Sequence, residues 1–186
     1  MRAFVAIDFG RPMQAAVADL LKRLKEVCPR LKWVRPEQMH LTLKFLGEIS
    51  DEQAAAVSVA LASVAAASQA FELTLEWLGM FPPAGRVNVL WVGVGDADER
   101  LAACQRECES QLEALGFERE ARAFSAHLTL ARNNDPRISR QVRDGVRQIG
   151  AVNLGTERID HLTLYQSILG REGPSYRAIS RHVLSG

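Results

Sequence analysis

Net charge is nearly absent from this 186-residue chain, where 23 Lys and Arg stand against 22 Asp and Glu for a balance of +1. A protein that coats nucleic acid carries a basic excess, so general DNA binding is excluded, while a local basic pocket for one phosphate is not. Cysteine is scarce: Cys28, Cys104 and Cys108 are odd in number and form no C-x-x-C. That excludes a disulfide framework and points to a reducing, cytoplasmic setting. Cys104 and Cys108, four apart, read as two small core residues on one helical face. Long apolar runs are missing too. The opening MRAFVAIDFG is too short for a signal peptide and carries Asp8. The Ala-rich stretch 54–67 contains Ser58 and Ser63 and falls short of the about 20 residues a membrane span needs. Among the 4 histidines there is no H-x-x-x-H, and no cysteine or carboxylate joins them as a clear ligand. The expectation is a monomeric protein without a metal, a cofactor or a membrane partner.

What is present is an ordinary globular composition, 47% hydrophobic and 24% charged. A chain of this length buries enough surface to fold without a metal or disulfide. Ala3–Ile7 reads as a buried strand, and Pro12 suits the first turn of a helix carrying Val17, Leu20, Leu21, Leu24 and Val27. Trp33 and Val34 read as extended before Pro36, and 40–47 as a strand. Ser50 and Gln53 form a capping-box pattern that opens a helix to about Ser68, and 71–76 alternates as a strand. After a turn at 81–85 the order starts again: strand 87–94, helix 97 to about 115 closed by Gly116, strand 127–130, helix 136–149, extended chain 152–165, and a final strand 176–184. The offset is close to 85 residues, so the chain reads as one bilobal domain over 1–186 with an internal repeat of about 1–80 and 87–165. The fold class is α+β, each lobe a small, largely antiparallel sheet covered by helices, with an active-site cleft between the lobes.

The tetrapeptide His-Leu-Thr-Leu occurs three times, beginning at His40, His127 and His161. In a strand, side chains alternate faces, so each copy presents an imidazole and a hydroxyl on one face with two leucines behind. An imidazole titrates near neutrality and serves as acid or base, and a hydroxyl donates to a phosphoryl oxygen. Two such units across a cleft suit in-line displacement at a cyclic phosphodiester. One histidine deprotonates water, the other protonates the leaving sugar oxygen, and Thr42 and Thr129 hold the non-bridging oxygens, with no metal required. The repeat selects the pair. His40 and His127 are 87 apart, whereas shifting His161 back by about 85 lands on Glu76-Trp77-Leu78. His161 therefore reads as a structural or surface histidine, as does His182.

Several neighbours carry two readings. Lys44 shares the His40 face if the strand stays regular, and either balances phosphate charge or closes a salt bridge. Arg132 falls on the face opposite His127 by strict alternation, and a bulge would redirect it. Arg137, Arg140, Arg143 and Arg147 stud one helix as a solvated face or an RNA backbone contact. Phe4 is either core or a surface on which a base stacks.

The sequence resembles the 2H phosphoesterases, and within them the RNA 2′,3′-cyclic phosphodiesterases, or 2′-5′ RNA ligase-like proteins. The resemblance rests on RAFVAIDF, on WVRPEQMHLTLKFLGE at 33–48, on FPP and RVNVLWVGV within 81–94, on HLTLAR at 127–132 and on LTLYQSILGREGPSY at 162–176. It implies His40 as proton donor and His127 as proton acceptor, a site role for Arg132, and RNA ends or nucleotides bearing a 2′,3′-cyclic phosphate as partners. The implied reaction is hydrolysis to a 2′-phosphomonoester. Reversible 2′-5′ ligation and a noncatalytic RNA-binding module are the alternatives. Ala126 departs from the family, which usually has proline there.

Overall fold

The computed structural model describes residues 1–95, 99–170 and 173–186. In chain order they form β1 (Arg2–Asp8), α1 (Arg11–Val27), β2 (Lys32–Trp33), β3 (His40–Glu48), α2 (Asp51–Ala67) and β4 (Phe71–Phe81). The second half follows with β5 (Val89–Gly95), α3 (Arg100–Glu113), β6 (His127–Arg132), α4 (Ser139–Ile149), β7 (Asn153–Ile159), β8 (His161–Gly170) and β9 (Gly173–Val183). The α+β class and the repeated element order match the expectation. The expected helix start at Ala97 lies outside the described residues, as does the middle of the turn between Gly170 and Gly173. Phe81, expected in a turn, is the last residue of β4. Pro136 opens a short 3-10 turn, Pro136–Ile138, ahead of α4.

Local signals account for the helices. Pro12 sits in the first turn of α1, which buries Met13, Val17, Leu20, Leu21 and Leu24. The Ser50 hydroxyl accepts from the Gln53 N–H while the Gln53 side chain accepts from the Ser50 N–H, closing the capping box of α2. Cys104 and Cys108 lie buried on the inner face of α3 beside Leu101 and Leu112.

Two antiparallel sheets result, ordered β3-β1-β8-β9 and β2-β6-β5-β4-β7. Each joins a histidine-bearing strand (β3 or β6) to the first strand of its own half (β1 or β5). The next strand in each sheet comes from the other half: β8 beside β1, and β4 beside β5. The helices are shared likewise, α2 meeting α3, β8 and β9, and α1 meeting α4 and β7. The two halves are thus interleaved, so neither sheet can form from one half alone. Behind the sheets lies one continuous apolar core, in which Val5, Ile7, Leu41, Leu73, Leu75, Leu90, Val92 and Leu128 meet the helices. The other faces of the sheets carry the His-Leu-Thr-Leu side chains, and the lobes touch along β3 and β6.

Candidate active site

Both of the strands β3 and β6 carry a bulge at the same place. Ala6 pairs with Thr42 and Val5 with Lys44, leaving Leu43 as the extra residue of β3. Trp91 pairs with Thr129 and Leu90 with Ala131, leaving Leu130 extra in β6. An extra residue reverses the facing of everything after it. Beyond the bulges, Lys44 and Ala131 turn into the core side, and Phe45 and Arg132 join the face of the histidines and threonines.

The bulge corrects the placement of Lys44 on the phosphate-facing side. Lys44 is only 6% exposed. Its ammonium donates to Glu109 of α3 at 2.6 Å and to the Glu118 carbonyl at 2.7 Å. The same device brings Arg132 to the site face against strict alternation, and its side chain is exposed.

His40 and His127 are held alike. The Nδ1 of His40 lies 2.9 Å from the Gln38 carbonyl, and that of His127 lies 2.7 Å from the Ser125 carbonyl. A carbonyl only accepts, so each Nδ1 carries the hydrogen and each neutral ring presents a bare Nε2. Neither Thr42 nor Thr129 spends its hydroxyl on a protein partner among the described residues. Aromatic rings wall both imidazoles. Phe4 lies 4.6 Å from the His40 ring centroid and Tyr176 stands edge-on at 4.9 Å. Phe81 stands edge-on to His127 at 4.9 Å, with Trp91 at 6.0 Å. Phe4 is buried, and its ring packs on the site face against His40 and not into the helix-covered core. Burial pushes the Tyr176 phenol up against the opposing pull of Arg132 and Arg2, so the field of Arg132 on β6 reaches the ring that flanks His40 on β3.

The third copy is engaged differently. His161 Nδ1 meets Asp160 at 2.6 Å and Nε2 meets Asp8 at 3.3 Å, so both ring nitrogens face carboxylates. This favours the imidazolium, and the ring titrates above its ordinary value, chiefly through Asp8. Asp8 also accepts from the Thr163 hydroxyl at 2.7 Å and the Tyr165 hydroxyl at 2.5 Å, with Arg181 at 3.5 Å. Burial alone would raise the Asp8 carboxyl, but its bonds to His161, Tyr165 and Thr163 outweigh it and hold the group below its usual range. His182 faces the hydroxyls of Ser180 and Ser58 and lies away from both rings.

Asp8 stands directly opposite His40 across β1 and β3. The matching position opposite His127 is Gly93. A side chain there would collide with the Trp77 indole, whose Nε1 lies 2.0 Å from where a Cβ would stand. His40 therefore stands opposite a carboxylate, and His127 opposite a glycine that an indole covers. Burial is the larger influence on His40 and pushes its imidazolium down, while the Gln38 carbonyl and the Asp8 charge pull it up. Of the helix arginines, Arg137 pairs with Asp135, Arg140 and Arg147 with Asp144, and Arg143 donates to the carbonyls of Pro83 and Gly85. Arg140, Arg143 and Arg147 serve α4 and its neighbouring turns, while Arg137 lies in the short turn ahead of α4.

Sequence reasoning missed Tyr165, Tyr176, Phe81 and Trp91. The signal available was alternation, which sets Tyr165 on the face of His161 and Thr163. Among the described residues, no cluster of three or more His, Cys, Asp or Glu is arranged to hold a metal ion, and no helix is long and apolar enough to cross a membrane.

Comparison with known proteins agrees with this geometry. The profile of the LigT-like phosphoesterases matches residues 9–91 and again 92–176. An RNA 2′,3′-cyclic phosphodiesterase of Archaeoglobus fulgidus is 36% identical over 177 residues, covering 95% of this chain and 97% of its own. Another from Aeropyrum pernix is 37% identical over 149 residues, covering 80% and 84%. A solved structure from Thermus thermophilus shares the fold at a TM-score of 0.82, with 24% identity across 100% of this chain and 99% of that one.

Proposed function

The chain belongs to the LigT-like phosphoesterase family, and from that membership we propose that it hydrolyses a 2′,3′-cyclic phosphate, at an RNA end or on a nucleotide, to a 2′-phosphomonoester. The observation that carries the reading is the matched pair of imidazoles. His40 and His127 each have Nδ1 tied to the carbonyl two residues back, with Nε2 unspent, on two strands that meet. His161, with the same tetrapeptide, has both nitrogens spent on carboxylates.

Water attacks phosphorus as the bond to the 3′-oxygen breaks. His127, neutral, takes the proton of the attacking water on Nε2, and His40, as imidazolium, gives its Nε2 proton to the departing 3′-oxygen. The asymmetry across the sheets supports this division of labour: the Asp8 carboxylate opposite His40 favours a charged ring, and Gly93 under Trp77 leaves His127 without such a partner. Thr42 and Thr129 donate to the non-bridging oxygens, and Arg132 balances the charge that builds on them. Lys44 takes no part, being sealed against Glu109.

The test is incubation with a cyclic nucleotide, with and without EDTA, followed by phosphorus NMR. The expected product is the 2′-phosphate in both arms. A 3′-phosphate would reverse the geometry, and rescue of a chelated sample by a divalent ion would overturn the two-histidine mechanism.

A further inference from the structure

The short strand β2 pairs with β6 so that Lys32 stands opposite Arg132 and Trp33 opposite Ala131. The Val34 N–H extends the pairing by donating to the Leu130 carbonyl. Directly opposed residues of an antiparallel pair project from one face with their Cβ atoms about 4.5–5.5 Å apart. The Leu130 bulge has turned Arg132 to the face of His127 and Thr129, so Lys32 lies on that face too. Both side chains are exposed, and neither makes a hydrogen bond or ion pair among the described residues. Like charges directly opposed destabilise a sheet, so this pair calls for an anion between them.

The positive character continues outward. Beyond Lys32 lies a cleft of about 450 Å³ lined by Arg30, Lys32, Asn134, Asp135, Pro136 and Arg137. Its single carboxylate, Asp135, is already engaged by both Arg30 and Arg137, which leaves the cleft with a cationic surplus. Since β2 is the edge strand of its sheet, nothing within the sheet stands between the catalytic face and this cleft. A chain whose reacting end lies at His40 and His127 has a route out across Arg132 and Lys32.

We propose that Arg132, Lys32 and the Arg30–Arg137 cleft form a track for the phosphodiester backbone of single-stranded RNA, which a cyclic mononucleotide fills only in part. The proposal rests on the cyclic phosphodiesterase reading, because the 2′-oxygen of the reacting end is what restricts the strand to RNA. The track itself reads charge and not sequence, since backbone contacts carry no base information.

The experiment has two arms. In the first, kcat/KM is measured for an oligoribonucleotide ending in a 2′,3′-cyclic phosphate and for a cyclic mononucleotide. Lys32→Ala should lower the ratio of the two, and Lys32→Arg should restore it. In the second, fluorescence anisotropy follows binding of a labelled oligoribonucleotide with a plain 3′-hydroxyl as salt is varied. One lost contact to a single strand reduces the slope of log affinity against log salt by about 0.7. Between about 50 and 200 mM salt the wild type should therefore lose about 2.6-fold more affinity than Lys32→Ala. An unchanged ratio together with an unchanged slope overturns the track. Equal displacement of the RNA by an acidic peptide of the same charge also overturns it, in favour of a protein partner. RNA binding that depends on Lys32 without turnover of any cyclic phosphate would leave the track standing and remove the catalytic reading. Turnover without a Lys32 effect would do the reverse.

Discussion

Replacing Asp8 by Asn removes the negative charge that faces His40 across β1 and β3 and leaves the side-chain volume almost unchanged. The pair sits at directly opposed positions, so the carboxylate and the imidazolium lie on the order of 6 Å apart. At an effective dielectric of about 20, that separation gives an attraction of about 2.8 kcal/mol. The carboxylate is not bare, however. Thr163 and Tyr165 donate to it, and His161 and Arg181 bring positive charge against it. Tyr165 and Tyr176 also border the ring from β8 and β9, and Arg2 of β1 and Arg132 of β6 bring positive charge to Tyr176. Taking about two-thirds of the attraction as cancelled leaves about 1 kcal/mol, or about fivefold in the rate of a step that needs His40 charged. The direction in pH follows from the same balance. Burial lowers the His40 pKa and Asp8 opposes it. Without Asp8 the charged acid is lost at lower pH, so the alkaline limb of the kcat/KM profile should move down in pH. The limb governed by His127 should stay in place, because Gly93 and not a carboxylate lies opposite it. The assay is a full pH–rate profile of wild type and Asp8→Asn on one cyclic nucleotide, with Asp8→Glu as the conservative variant. An alkaline limb that stays put, or moves to higher pH, would refute the division of roles between the two histidines.

Other outcomes follow from the same geometry. His40→Ala and His127→Ala should each cost about 10²–10⁴-fold in kcat, and the double variant far less than the product of the two, as read from steady-state rates. His161→Ala should keep turnover within a few-fold of wild type, because Asp8 retains Thr163 and Tyr165; a loss equal to that of His127→Ala would mean the wrong pair has been assigned. Lys44→Ala should leave the buried Glu109 without its cation, held among the described residues only by the Gln105 amide, and cost about 3–5 kcal/mol in urea unfolding, with kcat/KM little changed for the molecules that remain folded. Thr42→Ala and Thr129→Ala should each cost less than either histidine, since a hydrogen bond is lost and no proton route, which the same rate measurements check.

The repeat, the strand identity of each His-Leu-Thr-Leu copy and the kinship of His40 with His127 were all legible in the sequence. Each is a short-range property: alternation fixes a face, and spacing fixes a copy. The capping box at Ser50 and Gln53 was legible for the same reason. The interleaving of the sheets was not, because β8 pairs with β1 across more than 150 residues and no local pattern encodes that choice. The true facing of Lys44 and Arg132 was hidden as well. A bulge is a property of two strands, set by where Val5 meets Lys44 and Leu90 meets Ala131, and one strand read alone shows only unbroken alternation.

The same pairing explains why three copies of one tetrapeptide sit in two kinds of surroundings. The shift of about 85 residues sets His161 against Trp77, and the registers agree in space. Phe4 pairs with Tyr165 in one sheet as Val89 pairs with Phe81 in the other. In the first sheet the strand neighbouring the histidine strand carries Asp8, and His161 binds it. In the second that neighbour carries Gly93, and Trp77, with its backbone at a φ of 47°, lays its indole where a side chain would be. A carboxylate with its donors in one lobe is thus replaced by an indole over glycine in the other. Duplication alone would give two identical imidazoles, and two identical imidazoles have no reason to hold opposite protonation states at one pH. Asp8 opposite His40 and Gly93 opposite His127 are the difference that breaks that symmetry. In the proposed mechanism the third histidine therefore belongs to the chemistry through the carboxylate it holds, without touching the phosphate.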